Sequence, residues 1–384
     1  PKVYEIIDSN DIINSKYNGN SYKDILKDYN ANQWKGENQL TSDELYTIDY
    51  VVELFKYAKV IGSLLKVNPG KYLTIRKKLK VNLKENTQTD IFTSKFFHNE
   101  FNDILEILRL SYYLSLKYDV MITNPPYIGI SNLDNYPKEY LKKTYPESKT
   151  DMFSMFMEVP YVKKNGFRAM VNPDSWMFLK SFEQLRINFC NNLHFVNMVH
   201  HGMGEFDAVV QTTSFIIRNT SLPDYNGTYY RLVDSRNKEQ DFLSKDKGIK
   251  FITNSKKYKK IPANIFAYWI SKALENVFET STLLIDVAKA SQGMATGDNN
   301  KFVRMWWEPN YQDEYLNSKS RDESIKANKK WVPYNKGGAF RKWYGNNDCV
   351  VYFKDFGASI ASSSLSRFQN SKQYLIESIT WGKI

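Results

Sequence analysis

The chain has 384 residues, 42% hydrophobic and 25% charged, a globular composition long enough for two cores and too apolar for a disordered polymer. A formal net charge of +11 points to polyanionic partners, and two cysteines alone, Cys190 and Cys349, exclude a disulfide framework or a cysteine-rich zinc site. No apolar run reaches the roughly 18 residues a membrane span needs, and no signal-peptide pattern is present, so a cytoplasmic protein without membrane partners is expected.

In residues 43–66, Leu45, Ile48, Val52, Phe55 and Leu64 recur near helical spacing behind a Thr-Ser-Asp start, which predicts a helix. Residues 71–90 are basic and predict irregular or partly extended chain. A second amphipathic helix is expected over 99–116, with Phe101, Ile104, Leu105, Leu108 and Tyr112 on one face. The run "DVMIT" (119–123) then reads as a short buried strand. The alternation repeats as helix 151–164, strand 166–173, helix 181–192 and strands 195–201 and 209–219. Such alternation predicts a doubly wound α/β sheet. The last two strands are joined by too few residues for a crossover helix, so they should run antiparallel.

After about residue 222 the chain turns polar and rich in turn residues, which predicts a domain boundary. The expected organisation is an α/β domain over 1–222 and an α+β or mostly β domain over 225–384, with one helix near 265–279.

The sharpest feature is "NPPY" at 124–127, directly after the "DVMIT" strand. In open α/β sheets ligands bind outside the carboxyl ends of the strands. The Asn124 side-chain carbonyl and the Pro125 backbone carbonyl are hydrogen-bond acceptors, and proline offers no competing N–H. Two prolines fix the backbone so that the acceptors converge, and Tyr127 adds a flat π-face. This set suits a planar ring carrying an exocyclic amine, whose lone pair becomes a usable nucleophile once both N–H groups are engaged. The other reading is a rigid turn with a packed tyrosine. His200 and His201 are adjacent, so on a strand they face opposite ways and make a poor metal site.

"NPPY" after a strand resembles the catalytic motif of S-adenosylmethionine-dependent amino-group methyltransferases. "NPPYIGISNLDNYPKEYLKKTYPESKTDMFSMFME", "NGFRAMVNPDSWMFLKSFEQLR", "VNMVHHGMGEFDAVVQTTSFIIRN" and "KWVPYNKGGAFRKWYGNN" together resemble the adenine-specific DNA methyltransferases of the PglX type, from BREX phage-defence systems. The resemblance implies a partial Rossmann-like methyltransferase core followed by a DNA target-recognition domain. It implies adenine N6 methylation with S-adenosylmethionine, in a phage-defence or restriction-modification setting, with double-stranded DNA and other defence proteins as partners. By position, Asn124 and Pro125 hold the amine, Pro126 sets the geometry and Tyr127 stacks on the flipped base. Phe206 either closes on the base's other face or is a core residue at a strand start. A non-catalytic DNA-binding module, and an RNA or protein-glutamine methyltransferase, stay open as alternatives.

This chain departs from the family pattern in one respect. A glycine-rich cofactor loop resembling "DPACGSG" is absent upstream of residue 118, and the closest glycine pair is Gly202-Met203-Gly204. The cofactor-binding residues are therefore expected to lie outside this sequence, leaving a chain that binds S-adenosylmethionine weakly or not at all alone. In the second domain, Lys256 and Lys257, with Lys259 and Lys260, form either a phosphate-attracting cluster or a solvated face. "YNKGGAFRKWYGNN" (334–347) sets Lys336, Arg341 and Lys342 beside Trp343 and Tyr344, a DNA-contacting loop or a hairpin turn with packed aromatics. "SQGMATGDNNKF" (291–302) is a comparable glycine-containing loop.

Overall fold

A computed structural model describes residues 4–17, 19–85, 96, 100–204, 210–244, 249–342 and 344–380. The chain forms two compact units, residues 1–281 and 282–384.

The first unit begins with a helical layer. Its principal helices are α1 (Tyr22–Asn32), α2 (Ser42–Leu54), α3 (Tyr72–Glu85) and α4 (Glu100–Ser115). The start of α2 follows from its sequence: the Thr41 hydroxyl accepts from the Glu44 N–H, and the Glu44 carboxylate accepts from the Thr41 N–H. That reciprocal cap satisfies two helix-end donors, and its loss costs about 1 kcal/mol. Ile48, Val52, Phe55, Leu79, Phe101, Ile104 and Leu108 share one core in this layer. The basic stretch expected to be irregular is largely helix α3. Its lysines lie outward while Ile75 and Leu79 are buried at four-residue spacing.

The chain then enters the sheet. Strand β1 (Tyr118–Thr123) is followed by helices α5 (Asn135–Thr144) and α6 (Met152–Glu158), strand β2 (Val162–Pro173), helix α7 (Glu183–Asn192) and strands β3 (His194–Gly202) and β4 (Thr212–Arg218). Next come β5 (Gly227–Arg231), β6 (Lys250–Thr253) and helix α8 (Lys272–Thr280). The six strands order as β1-β2-β4-β3-β5-β6. β1 and β2 run parallel, as do β3 and β5, whereas β4 is antiparallel to both its neighbours, so the β3–β4 expectation holds.

One face of the sheet is packed. Met170, Phe195, Met198, Phe215 and Ile217 join Trp176, Phe189 and Phe266 in a second core. Trp176 stacks on Phe195 at 5.6 Å between centroids and donates its indole N–H to Thr213 Oγ1 over 3.2 Å. The opposite face is open. Val120 pairs across to Phe167 and Ile122 to Ala169, and Ile122 remains 79% exposed. "DVMIT" is thus an edge strand buried on one face only, not the fully buried strand expected.

The expected boundary near 222–225 is displaced. β5 and β6 extend the first sheet, so the polar seam is a connection between strands, and the first unit runs to Ser281. The second unit is built on a three-stranded antiparallel sheet, β7 (Val303–Met305), β8 (Trp331–Pro333) and β9 (Cys349–Tyr352), in the order β7-β9-β8. Phe302, Val303, Val332, Val351, Phe353 and Ile360 form its core. Among the described residues no helix is long and apolar enough to cross a membrane.

Candidate functional site

Asn124-Pro125-Pro126-Tyr127 leaves the carboxyl end of β1, where the parallel strand β2 also ends. Pro125 is buried, Asn124 and Pro126 are exposed, and Tyr127 is half-buried. The Pro125 carbonyl accepts no backbone hydrogen bond among the described residues. The Tyr127 hydroxyl lies 3.2 Å from Asn124 Oδ1 and 3.2 Å from the Val171 carbonyl of β2, and donates toward both acceptors. Its ring meets Phe153 of α6 edge-on at 6.2 Å. Burial pushes the Tyr127 phenol above its ordinary range, which keeps it a donor.

The turn is pinned from the far side by residues that motif reading passed over. The Met152 N–H donates to the Ile128 carbonyl at 3.0 Å, and the Ile130 N–H to the Thr150 carbonyl at 3.2 Å. Asp151 caps α6 by accepting from the Phe153 N–H at 3.1 Å. Burial raises the Asp151 carboxyl, against the opposing pull of the Phe153, Ile128 and Met152 N–H groups. The signal was present in the sequence, since an aspartate directly before an apolar helical run is an N-cap pattern.

A second polar group lies at the same edge of the sheet. His200 is buried near the end of β3, with Nε2 3.0 Å from Asp174 Oδ2, just past β2, and Nδ1 3.3 Å from the Tyr268 hydroxyl. Burial holds the Tyr268 phenol well above its usual range, so a protonated hydroxyl faces Nδ1. His201 instead meets Ser214 Oγ at 2.7 Å, as neighbours on opposite faces should. Asn172 is fully buried on β2, and both its amide atoms lack a hydrogen-bond partner among the described residues.

The other expected residues are placed as follows. Phe206 and Trp343 lie outside the described residues. Lys256 pairs with Asp224 Oδ1 at 2.8 Å, and Lys257 donates to the Ile270 carbonyl at 2.6 Å. Lys260 bridges to Glu279 at 2.7 Å, so much of this cluster is engaged by its own chain. Lys336, Arg341 and Lys342 are exposed on the β8–β9 connection. In the 291–302 loop, a Cβ on Gly297 (φ +74°) would fall 2.5 Å from the Leu365 carbonyl carbon, so that glycine serves close chain packing.

Among the described residues, none forms a loop that fits a methyl donor. Gly202 ends β3 at φ +76°, where a Cβ would meet Val233 Cα at 2.9 Å, and Lys238 Nζ holds the Met203 carbonyl at 2.5 Å. The next described element is strand β4, not a helix whose N–H groups could receive a nucleotide-like ligand. Among the described residues of the first unit, the strand-to-helix connections carry a single glycine, Gly129.

Comparison with known proteins adds a lineage to this geometry. The sequence profile described as Eco57I restriction-modification methylase matches residues 14–206. The chain is 36% identical over 303 residues to the adenine-specific methyltransferase PglX of Lacticaseibacillus casei (strain Zhang), covering 73% of this chain and 25% of that protein. It is 32% identical over 337 residues to the adenine-specific methyltransferase BrxX of Escherichia coli O9:H4 (strain HS), covering 85% of this chain and 27% of that protein. The chain thus spans about a quarter of the length of these relatives. A distant likeness, TM-score 0.30 at 9% identity over 65% of this chain and 64% of the other, is to a type I restriction-modification system methyltransferase subunit from Streptococcus thermophilus.

Proposed function

Because this chain belongs to the Eco57I restriction-modification methylase family, we propose that it supplies the base-receiving side of an adenine-specific DNA methyltransferase. The observation that carries the proposal is the pair of acceptors at the carboxyl end of β1, Asn124 Oδ1 and the Pro125 carbonyl, with the Tyr127 ring beside them. An adenine rotated out of the duplex presents an amine with two N–H donors and a flat face. The two donors meet the two acceptors, and stacking offsets part of the few kcal/mol that extrusion costs.

Hydrogen bonds from both N–H groups draw the amine from planar toward tetrahedral, which localises its lone pair for attack. Asn124 orients, Pro125 accepts, Pro126 fixes the backbone, and Tyr127 both stacks and holds the Asn124 side chain. Phe206 is assigned to the base's second face. The methyl donor is S-adenosylmethionine. Double-stranded DNA is the substrate, and the relatives' names favour a phage-defence or restriction-modification setting with further protein partners. DNA contact outside the pocket is assigned to the second unit, through Lys336, Arg341, Lys342 and Trp343. Lys256 and Lys257 have a lesser share, because their own chain already holds them.

The test is methylome sequencing of cells carrying the intact gene, with and without Asn124→Ala. Adenine methylation at a defined sequence should vanish in the variant. Its persistence at the wild-type level removes the catalytic assignment.

A further inference from the structure

Exposed aromatic rings are costly to leave in water, and the second unit carries several of them. β8 and β9 are joined by a 15-residue connection, 334–348. It emerges beside the end of β7, where the Trp306 N–H donates to the Asp348 carbonyl at 2.9 Å. Within it Phe340 is 87% exposed and Tyr344 is 87% exposed; Trp306 and Trp307, beside its base, are 48% and 58% exposed. Isolated exposed apolar residues need no explanation, but two almost fully exposed rings four residues apart on one connection point to an interaction surface.

The tip of this connection is tied. Asn346 Nδ2 donates to the Ala339 carbonyl at 3.1 Å, which draws the two flanks of the connection together. Backbone approach tightens it further. A Cβ on Gly345 would fall 2.5 Å from Arg341 Cγ, and one on Gly338 would fall 2.8 Å from Asn346 Oδ1. The rings are therefore presented by a loop whose ends are joined, which lowers the ordering cost of binding. Between 334 and 347 the sequence carries three cations, Lys336, Arg341 and Lys342, and no acid. A hydrophobic protein groove would complement the rings and leave the cations unmatched. A nucleic acid complements both, with phosphates for the charges and base faces for the rings.

Resting on the DNA reading above, we propose that Phe340 and Tyr344 are stacking wedges that enter the base stack of duplex DNA while Lys336, Arg341 and Lys342 hold the flanking phosphates. In a duplex the base faces are covered by their neighbours, so a ring reaches one only by parting a step. The wedges thus act on the duplex itself, separately from the pocket at Asn124–Tyr127. Unstacking costs a few kcal/mol per step and is recovered in contact area.

The experiment uses the whole chain and a labelled duplex of mixed sequence, with affinity measured by fluorescence anisotropy across a salt series. Phe340→Ala and Tyr344→Ala should each weaken binding about fivefold or more, with the slope of log affinity against log salt unchanged. Tyr344→Phe, which keeps the ring, should bind as wild type does. Lys336→Ala should reduce the slope by about 0.9, the signature of one lost phosphate contact. If wild type binds the duplex and both alanine variants bind equally well, the wedge assignment fails while the DNA reading stands. If wild type binds no duplex, both fail together. If the alanine variants change only self-association in sedimentation velocity, the rings are a contact between copies and the proposal is overturned. Circular dichroism of each variant confirms that the fold is retained, as expected at positions this exposed.

Discussion

The hydroxyl of Tyr127 touches both halves of the site, lying 3.2 Å from Asn124 Oδ1 and 3.2 Å from the Val171 carbonyl. It anchors the motif to the neighbouring strand and sets the direction of the Asn124 side-chain carbonyl, the acceptor proposed to meet the amine. Removing it while keeping the ring separates orientation from stacking. Tyr127→Phe in the intact protein should lower the methylation rate about 10- to 100-fold, the usual effect of misplacing a reacting group by a fraction of an ångström or more. Tyr127→Ala should be worse, and a rate for Tyr127→Phe equal to wild type would show that the hydroxyl is not a positioning group. The motif itself was legible because proline and asparagine have distinctive local chemistry. The tie to Val171 was not legible, since it joins residues 44 apart in the chain. Asp174, His200 and Tyr268 were hidden for the same reason, being brought together only by strand order.

Among the elements, α6 ends on a half-buried carboxylic acid, Glu158. Burial pushes Glu158 up from 4.5 to about 7, with Glu147 adding repulsion, and the Ser148 hydroxyl donor and Arg168 opposing the shift. Arg168, on β2, is itself buried and donates Nη2 to the Val159 carbonyl at 2.8 Å; both residues line a cavity of about 330 Å³. Below pH 4.5 Glu158 is protonated in the folded and unfolded chains alike and imposes no penalty. As pH rises from 4.5 to about 7, the unfolded chain ionises first, so folded stability falls, and above that window the full penalty remains. Allowing for partial solvent screening, the fall is roughly 1–2 kcal/mol. Glu158→Gln should flatten the decline in melting temperature between pH 5 and pH 8; a decline equal to wild type would assign it to other groups. Element types were largely readable from periodicity, as α2 and α4 illustrate. The departure at α3 reflects its lysines, which mask a buried stripe of Tyr72, Ile75, Leu79 and Asn82 at helical spacing. The error at β1 came from the apolar run itself, because such a run does not state how many of its faces are covered.

For the whole molecule, the turn-rich stretch after 222 reads as a boundary by composition, yet it links strands of one sheet, and the division falls at 281/282. Polar turn residues mark any surface connection, between strands or between domains, so composition alone does not separate the two cases. The side-by-side order of β4 between β2 and β3 is likewise a long-range fact with no local signature.

The uncovered face of β1 has a consequence for handling the protein. Among the described residues Tyr118–Thr123 pairs on one side only, and Val120 and Ile122, 55% and 79% exposed, lie on the open face beside Phe167. A bare strand edge next to an apolar surface is a template for another strand, and natural edges blunt it with charge. The isolated chain should therefore be a poor colloid, with light scattering that grows with concentration and persists in high salt, since its cause is not ionic. Ile122→Lys places a cation in the middle of that template and should restore a monodisperse solution without lowering the melting temperature. Unchanged scattering in that variant would place the sticky surface elsewhere on the molecule.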